Sequence, residues 1–469
     1  MGFILTVITI LFALDALWLW QSDRFLRGVR GARWWRLASA AFVVLQILIL
    51  VWIFAGRLMS FDPSYTSPKP LVAAVLIWHL LVLPVAVVLW AIPAIALAIV
   101  RALRSLFPVL RGEGRGEGRA TFEVGEPFDS TTRARDRMER STRSSAACPS
   151  PLPSPPSTWE REDGVPPTQA AGPASPAGSV WSPVSRRSFL RTAAVMTPPL
   201  VTTIATAVSM PQLSHFRVRR LTIPLPTLPP ALDGLTIAQV SDIHVGRFTR
   251  GPILDQIVRA TNDLNADLVL MTGDLINDAL GDLDEALDLV QRIDPRHGLA
   301  MCEGNHDLIE SRAEFERRTR AAGVPLLINE AMTVRVRGES IQLLGLRWGS
   351  ATPGGSRREN GGDEAIASSM DRVLAQLRSD AFPILLAHHP HAFDLAAAAG
   401  IPLTLAGHTH GGQLMLTDKI GFGPRMYRYW SGLYTKPTGA LVVSNGVGNW
   451  FPLRINAPAE IVHITLRRA

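Results

Sequence analysis

Cysteine is nearly absent: Cys148 and Cys302 are the only two in 469 residues. That excludes a disulfide framework and a thiolate metal cluster. Cys302 sits in an apolar run and reads as a buried core thiol, while Cys148 falls in a Pro/Ser-rich stretch. Also missing is any basic residue ahead of the first hydrophobic run, so the N-terminus is not a conventional secretory signal. Between residues 111 and 184 large apolar residues thin out in favour of Gly, Pro, Ser, Thr and Arg, as in "GEGRGEGR" and "CPSPLPSPPS". Such a stretch cannot bury enough surface to fold, and a disordered cytoplasmic linker is expected there.

Present in excess are apolar length and arginine. Hydrophobic residues make up 47% of the chain and mean hydropathy is +0.17, so membrane segments are expected beside a globular unit. Three runs, 3–20, 40–55 and 71–100, meet or approach the roughly 20 residues of a spanning helix. The third contains Pro84 and Pro93, which predicts a tilt or kink. The net charge of +7 comes almost wholly from Arg. Arg24, Arg27, Arg30, Arg33 and Arg36 separate the first two runs, and Arg101, Arg104 and Arg111 follow the third. The intervening loop has only Arg57, Asp62 and Lys69. The positive-inside rule therefore puts the first loop and the segment after the third run in the cytoplasm. With the basic charge assigned to membrane flanks, no nucleic-acid partner is expected.

The stretch "SRRSFLR", residues 185–191, is similar to the twin-arginine export signal, with Arg186 and Arg187 as the pair. Twin-arginine export machinery is the partner this likeness implies. The mildly apolar stretch after it contains Pro198 and Pro199 and is expected to be irregular; whether it is cleaved stays open. An ordinary membrane helix with a basic cytoplasmic edge accounts for the same residues. Either way the remainder of the chain faces outward. The expected organisation is three transmembrane helices over 1–110, the linker over 111–184, a signal or transmembrane segment over 185–211, and a globular domain over 212–469.

In that domain strand-length apolar runs ("LTIAQV", "ADLVLM", "HGLAMC", "IQLLGL", "FPILLA", "IPLTLA", "ALVVS", "EIVHITL") alternate with helical patterns such as "PILDQIVRATNDL", which predicts an α/β fold. Polar clusters follow the strands. "SDIHVG" carries Asp242 and His244, two apart and so able to share an ion. "TGDLIND" carries Asp274, "EGNHD" carries Asn305 and His306, "LAHHP" carries His388, and "AGHTHGG" carries His408 and His410. Each alone is weak evidence. Together they converge at the carboxyl ends of strands, where α/β sheets bind ligands.

In this order the motifs resemble the calcineurin-like metallophosphoesterase superfamily, and within it the bacterial branch of exported or membrane-attached members. The likeness extends from about residue 216 to the C-terminus. It implies a β-sandwich flanked by helices (α/β/β/α) and two divalent metal ions. Asp242, His244 and His410 would hold one ion; Asn305, His388 and His408 the other; Asp274 would bridge. His306 would face the substrate as the catalytic acid. Oxygen and imidazole donors without thiolates suit Mn, Fe or Zn, and such a pair lowers the pKa of a shared water and so generates hydroxide.

The expected function is a membrane-tethered phosphoesterase on the outer face of the bacterial cytoplasmic membrane. It would act on phosphodiesters or pyrophosphates, with a lean towards phospholipid or lipid-linked substrates. The alternative is a non-catalytic metal-binding sensor or scaffold. Some positions depart from the pattern. Asn277 stands where relatives often carry an acid, Arg347 and Trp348 follow "LLGL" where acids are commoner, and His389 and His391 read as bystanders. Asp15 and His79 fall inside predicted spans, where ionisable groups are costly and could pair.

Overall fold

The computed structural model describes residues 2–29, 31–58, 67–110, 185–349 and 363–469. The linker expected over 111–184, with Cys148, lies outside them. The chain forms two units, Met1–Pro93 with Ser185–Ala469, and Ala94–Val184. All that follows concerns the first, save the end of one helix.

Its N-terminal part is helical: α1 (Gly2–Leu26), α2 (Ala32–Leu58), α3 (Lys69–Ile77), α4 (Leu83–Leu110) and α5 (Arg186–Gln212). Among the described residues, three segments are long and apolar enough to cross a membrane: Ala32–Ala55, Lys69–Ile92 and Arg186–Gln212. Between α3 and α4 the chain widens into a π turn, Trp78–Val82, in which the Leu83 amide donates to the Trp78 carbonyl. The irregularity expected in the third run takes this form. Pro84 has no N–H to offer and its ring crowds the preceding turn, and a wide turn relieves both. In α5 the expected irregularity is missing: the helix runs through Pro198 and Pro199. Ser185 caps its start, accepting from the Ser188 amide at 3.2 Å.

The rest is a two-sheet sandwich. The first sheet contains β1 (Arg217–Leu225), β2 (Thr236–Val240), β3 (Leu268–Thr272), β4 (Gly298–Cys302) and β11 (Glu460–Arg468), in the order β1-β11-β2-β3-β4. The second contains β5 (Glu330–Val336), β6 (Glu339–Gly345), β7 (Phe382–Leu386), β8 (Leu403–Ala406), β9 (Gly432–Lys436) and β10 (Gly439–Val443), in the order β5-β6-β7-β8-β10-β9. β2, β3 and β4 are parallel, as are β6, β7, β8 and β10, so the ends of these strands line up.

Side-chain alternation builds the layers. Ile237, Leu268 and Leu270 point between the sheets against Leu343, Ile384, Leu405 and Val442. Their neighbours Ala238, Val269 and Met271 point outward, onto α6 (Pro252–Asn262), α7 (Leu283–Gln291) and α8 (Arg312–Ala321). On the other side Leu344 and Leu385 meet α9 (Asp363–Leu374) and α10 (Ala392–Ala398). Strands buried on both faces read as continuous apolar runs, which is how they stand in the sequence. The expected α/β/β/α layering is present, and Cys302 lies inside it.

Helices and sandwich also pack together. Phe451 and Leu453 share a buried cluster with Trp18, Trp78 and Val195, and Phe248 one with Val72 and Leu213. Lys69 donates to the Phe248 carbonyl at 3.2 Å, and the Arg454 amide to Gln212 Oε1 at 2.8 Å.

Candidate metal centre

The polar clusters gather at the carboxyl ends of β2, β3, β4, β7 and β8. The backbone is sharply turned there. Asp242, His244, Asp274, His408 and His410 all have φ between 49° and 72°. Non-glycine residues seldom adopt this left-handed conformation, and strained backbone of this kind collects at functional sites. Two glycines admit the close approach. A Cβ on Gly407 would stand 2.2 Å from Asp242 Oδ2, and one on Gly304 2.3 Å from Asp274 Oδ1.

The donor atoms fall into two overlapping groups. In one, His244 Nε2 lies 3.0 Å from His410 Nε2, and Asp242 Oδ1 is 3.4 Å from His410 Nε2. In the other, Asn305 Oδ1 is 2.8 Å from His408 Nδ1 and 3.2 Å from His388 Nε2. Asp274 stands between them: its Oδ2 is 3.5 Å from His244 Nε2 and 3.1 Å from His388 Nε2. Its other oxygen accepts from the His306 amide at 2.7 Å. All seven expected ligands are thus brought together.

Electrostatics suit a cation. Burial, then neighbouring positive charge, holds His244, His408 and His410 well below the usual histidine value, so their lone pairs are free. Burial also pushes Asp242 up to about 6. His388 goes the other way: burial opposes its charge, but Asp274 outweighs that and raises it to about 9. Neutral imidazoles facing each other at 3.0 Å beside two carboxylates and an amide oxygen form a donor set that Mn, Fe or Zn would satisfy.

Other side chains support the set. His388 Nδ1 is 2.6 Å from the Thr272 carbonyl, the usual backing of a ligating histidine. Ser241 donates to Asp242 Oδ2 at 2.5 Å. Asp307 accepts from the amides of Asp274, Ile276 and Gly304, tying two ligand turns together; burial pushes its carboxyl up to about 8. His306 sits at the edge, its Nδ1 2.5 Å from the Asn277 carbonyl. At Asn277 it is therefore the backbone that orients His306, which lessens the weight of a missing acid there.

Trp348 is buried with its ring 4.8 Å from that of His408, so it walls the centre. Arg347 is turned away, 3.2 Å from Glu316. His389 and His391 follow β7 in a turn, so strand alternation does not govern them. His389 lies 5.2 Å from the His408 ring and borders the centre, whereas His391 is further out beside Tyr427 and Tyr429. Sequence reasoning also missed Arg454, a buried guanidinium that donates to His410 Nδ1 at 2.9 Å. It stands alone in "FPLRINAP", with no spacing to mark it. Arg186 and Arg187 are exposed in the first turn of α5.

Residues 235–412 match the family model described as Calcineurin-like phosphoesterase. A transmembrane protein with metallophosphoesterase domain from Danio rerio is 31% identical over 53% of this chain and 56% of its own length. An uncharacterized metallophosphoesterase of Helicobacter pylori is 30% identical over 50% and 60%. The chain thus spans little more than half the length of these relatives. Among solved structures, the phosphopantetheinyl hydrolase of Mycobacterium tuberculosis is 14% identical over 47% of this chain and 91% of that one, with a TM-score of 0.31. The C-terminal domain belongs to the calcineurin-like metallophosphoesterase superfamily.

Proposed function

We propose that the chain is a membrane-tethered, metal-dependent phosphoesterase whose C-terminal domain hydrolyses phosphodiester or pyrophosphate bonds outside the bacterial cytoplasmic membrane. The observation that carries this reading is the position of Asp274, whose Oδ2 lies between His244 and His388 where one oxygen could serve two ions. Asp242, His244 and His410 would hold the first ion, and Asn305, His388 and His408 the second. When bound, such ions supply an acidified water and positive charge for the phosphoryl oxygens.

The chain's own residues would do the rest. Water adds to phosphorus and the bond to the leaving oxygen breaks. His306 is oriented by its Nδ1 contact to the Asn277 carbonyl and delivers a proton to the departing oxygen from Nε2. Trp348 and Trp450 shield the centre from bulk water.

The test is hydrolysis of bis(p-nitrophenyl) phosphate by protein loaded with Mn, Fe or Zn, with metal content measured alongside. His306→Gln is expected to retain metal and slow kcat by about 10²–10⁴-fold. Asp274→Asn is expected to lose metal and activity together. Stoichiometric metal with no hydrolysis of any phosphate ester would instead favour a sensor or scaffold.

A further inference from the structure

The metal centre opens onto a cavity of about 280 Å³ lined by both its histidines and apolar side chains. His408 and His410 line it together with Leu80, Leu81, Met426 and Trp450. Leu80 and Leu81 belong to the π turn, well inside Lys69–Ile92, a segment apolar enough to cross a membrane. An apolar passage therefore links the proposed reaction centre with the depth of the bilayer hydrocarbon. Most polar side chains of the wall are already engaged: Thr409 donates to the Trp430 carbonyl at 2.6 Å, Gln413 Nε2 to that of Leu453 at 2.6 Å, and the Tyr427 hydroxyl lies 3.5 Å from His408 Nε2, leaving Gln413 Oε1 without a partner. Beyond the metal centre the wall is mainly Leu, Phe, Met and Trp with few open polar groups, which suits hydrocarbon better than a sugar or a peptide.

The turn that presents the two leucines is fixed from below. Asp15 of α1 accepts from Trp78 Nε1 at 2.9 Å, and its other oxygen lies 3.0 Å from His79 Nε2. Polar groups inside a span are costly, and here they clamp the turn that lines the cavity. Beside the opposite wall the chain leaves Leu416, Ile420 and Phe422 exposed, as it does Met426.

We propose that this cavity holds the hydrocarbon chain of a phosphorylated lipid. The phosphate would lie at the metal centre and the chain would run between Leu80–Leu81 and Met426 into the membrane. The proposal rests on the phosphoesterase reading above and adds the class of substrate.

Full-length protein in lipid nanodiscs, loaded with Mn²⁺, is assayed on the butyl and octyl p-nitrophenyl phosphodiesters. Each further buried methylene is worth about a factor of four, so kcat/KM for the octyl ester should exceed that for the butyl by more than about tenfold. Leu80→Trp and Met426→Trp, both at exposed positions, fill the passage and should bring that ratio towards one. Partitioning of the octyl ester into the disc would raise the rate in wild type and variants alike. A ratio that neither substitution changes therefore overturns the proposal. Independently, octyl phosphate with a diazirine at its chain end should label peptides containing Leu80–Leu81 or Met426. Labelling confined elsewhere also overturns it. Equal hydrolysis of the two esters refutes the chain site and leaves the phosphoesterase reading standing. Hydrolysis of neither counts against a phosphodiester substrate, and labelling then decides for or against the cavity alone.

Discussion

Without metal, His388 is best accommodated as a cation, facing Asp274 at 3.1 Å with Nδ1 against the Thr272 carbonyl. Its folded value of about 9 lies above the ordinary 6.5. The stability that this pair contributes is therefore complete below pH 6.5 and is lost as pH rises through about 9. A bound divalent ion would take the proton's place. Thermal melts in chelator should fall along an alkaline limb from pH 6.5 to 9, Mn²⁺ should flatten that limb, and His388→Gln should remove it from the metal-free protein. A limb unchanged by His388→Gln would assign it elsewhere. At this scale the sequence disclosed the ligands well, because all stand at strand ends and all but His388 lie beside a glycine or two positions from another ligand. It disclosed the supporting residues poorly. Arg454 and Trp348 reach the centre from loops whose direction only tertiary packing sets.

Among the elements, the π turn before Pro84 has the most distinct consequence. Asp15→Leu would leave the Trp78 indole N–H and the His79 ring without their shared acceptor in a buried place, at about 1–3 kcal/mol for each unpaired group. The variant is expected to melt several degrees lower in nanodiscs, and to lose part of any preference for long-chain esters while still binding metal. An unshifted melting curve would show that the clamp carries no load. The strands were mostly readable, since burial on both faces gives unbroken apolar runs. β1, β5 and β9 were not. β1 and β9 end their sheets and β5 does likewise in the second, with one face or edge open to water, so polar residues break their pattern: Arg217, Arg219 and Arg220 in β1, Thr333 and Arg335 in β5. The prolines of α5 misled in the opposite direction, because a long helix with partners along its side tolerates them.

For the molecule as a whole, the charge pattern predicts that the C-terminal domain faces outward. Lys69, at the start of α3, and Gln212, at the end of α5, both touch the sandwich. A reporter active only outside the cytoplasm and fused after Ala469 should therefore be active. Replacing Arg186 and Arg187 by lysine should strand it inside if α5 is read as an export signal; undiminished activity would make α5 an ordinary membrane helix. The order of strands bears on how such a chain is made. β11 lies between β1 and β2, so the edge strand β1 is cut off from the rest of the first sheet until residues 460–468 have left the ribosome. Up to then β1 has no neighbour in its sheet and β2 shows an open edge, the template on which unrelated chains aggregate. A stop codon at position 460 would remove the strand that joins both, and should yield inclusion bodies in place of a shortened enzyme.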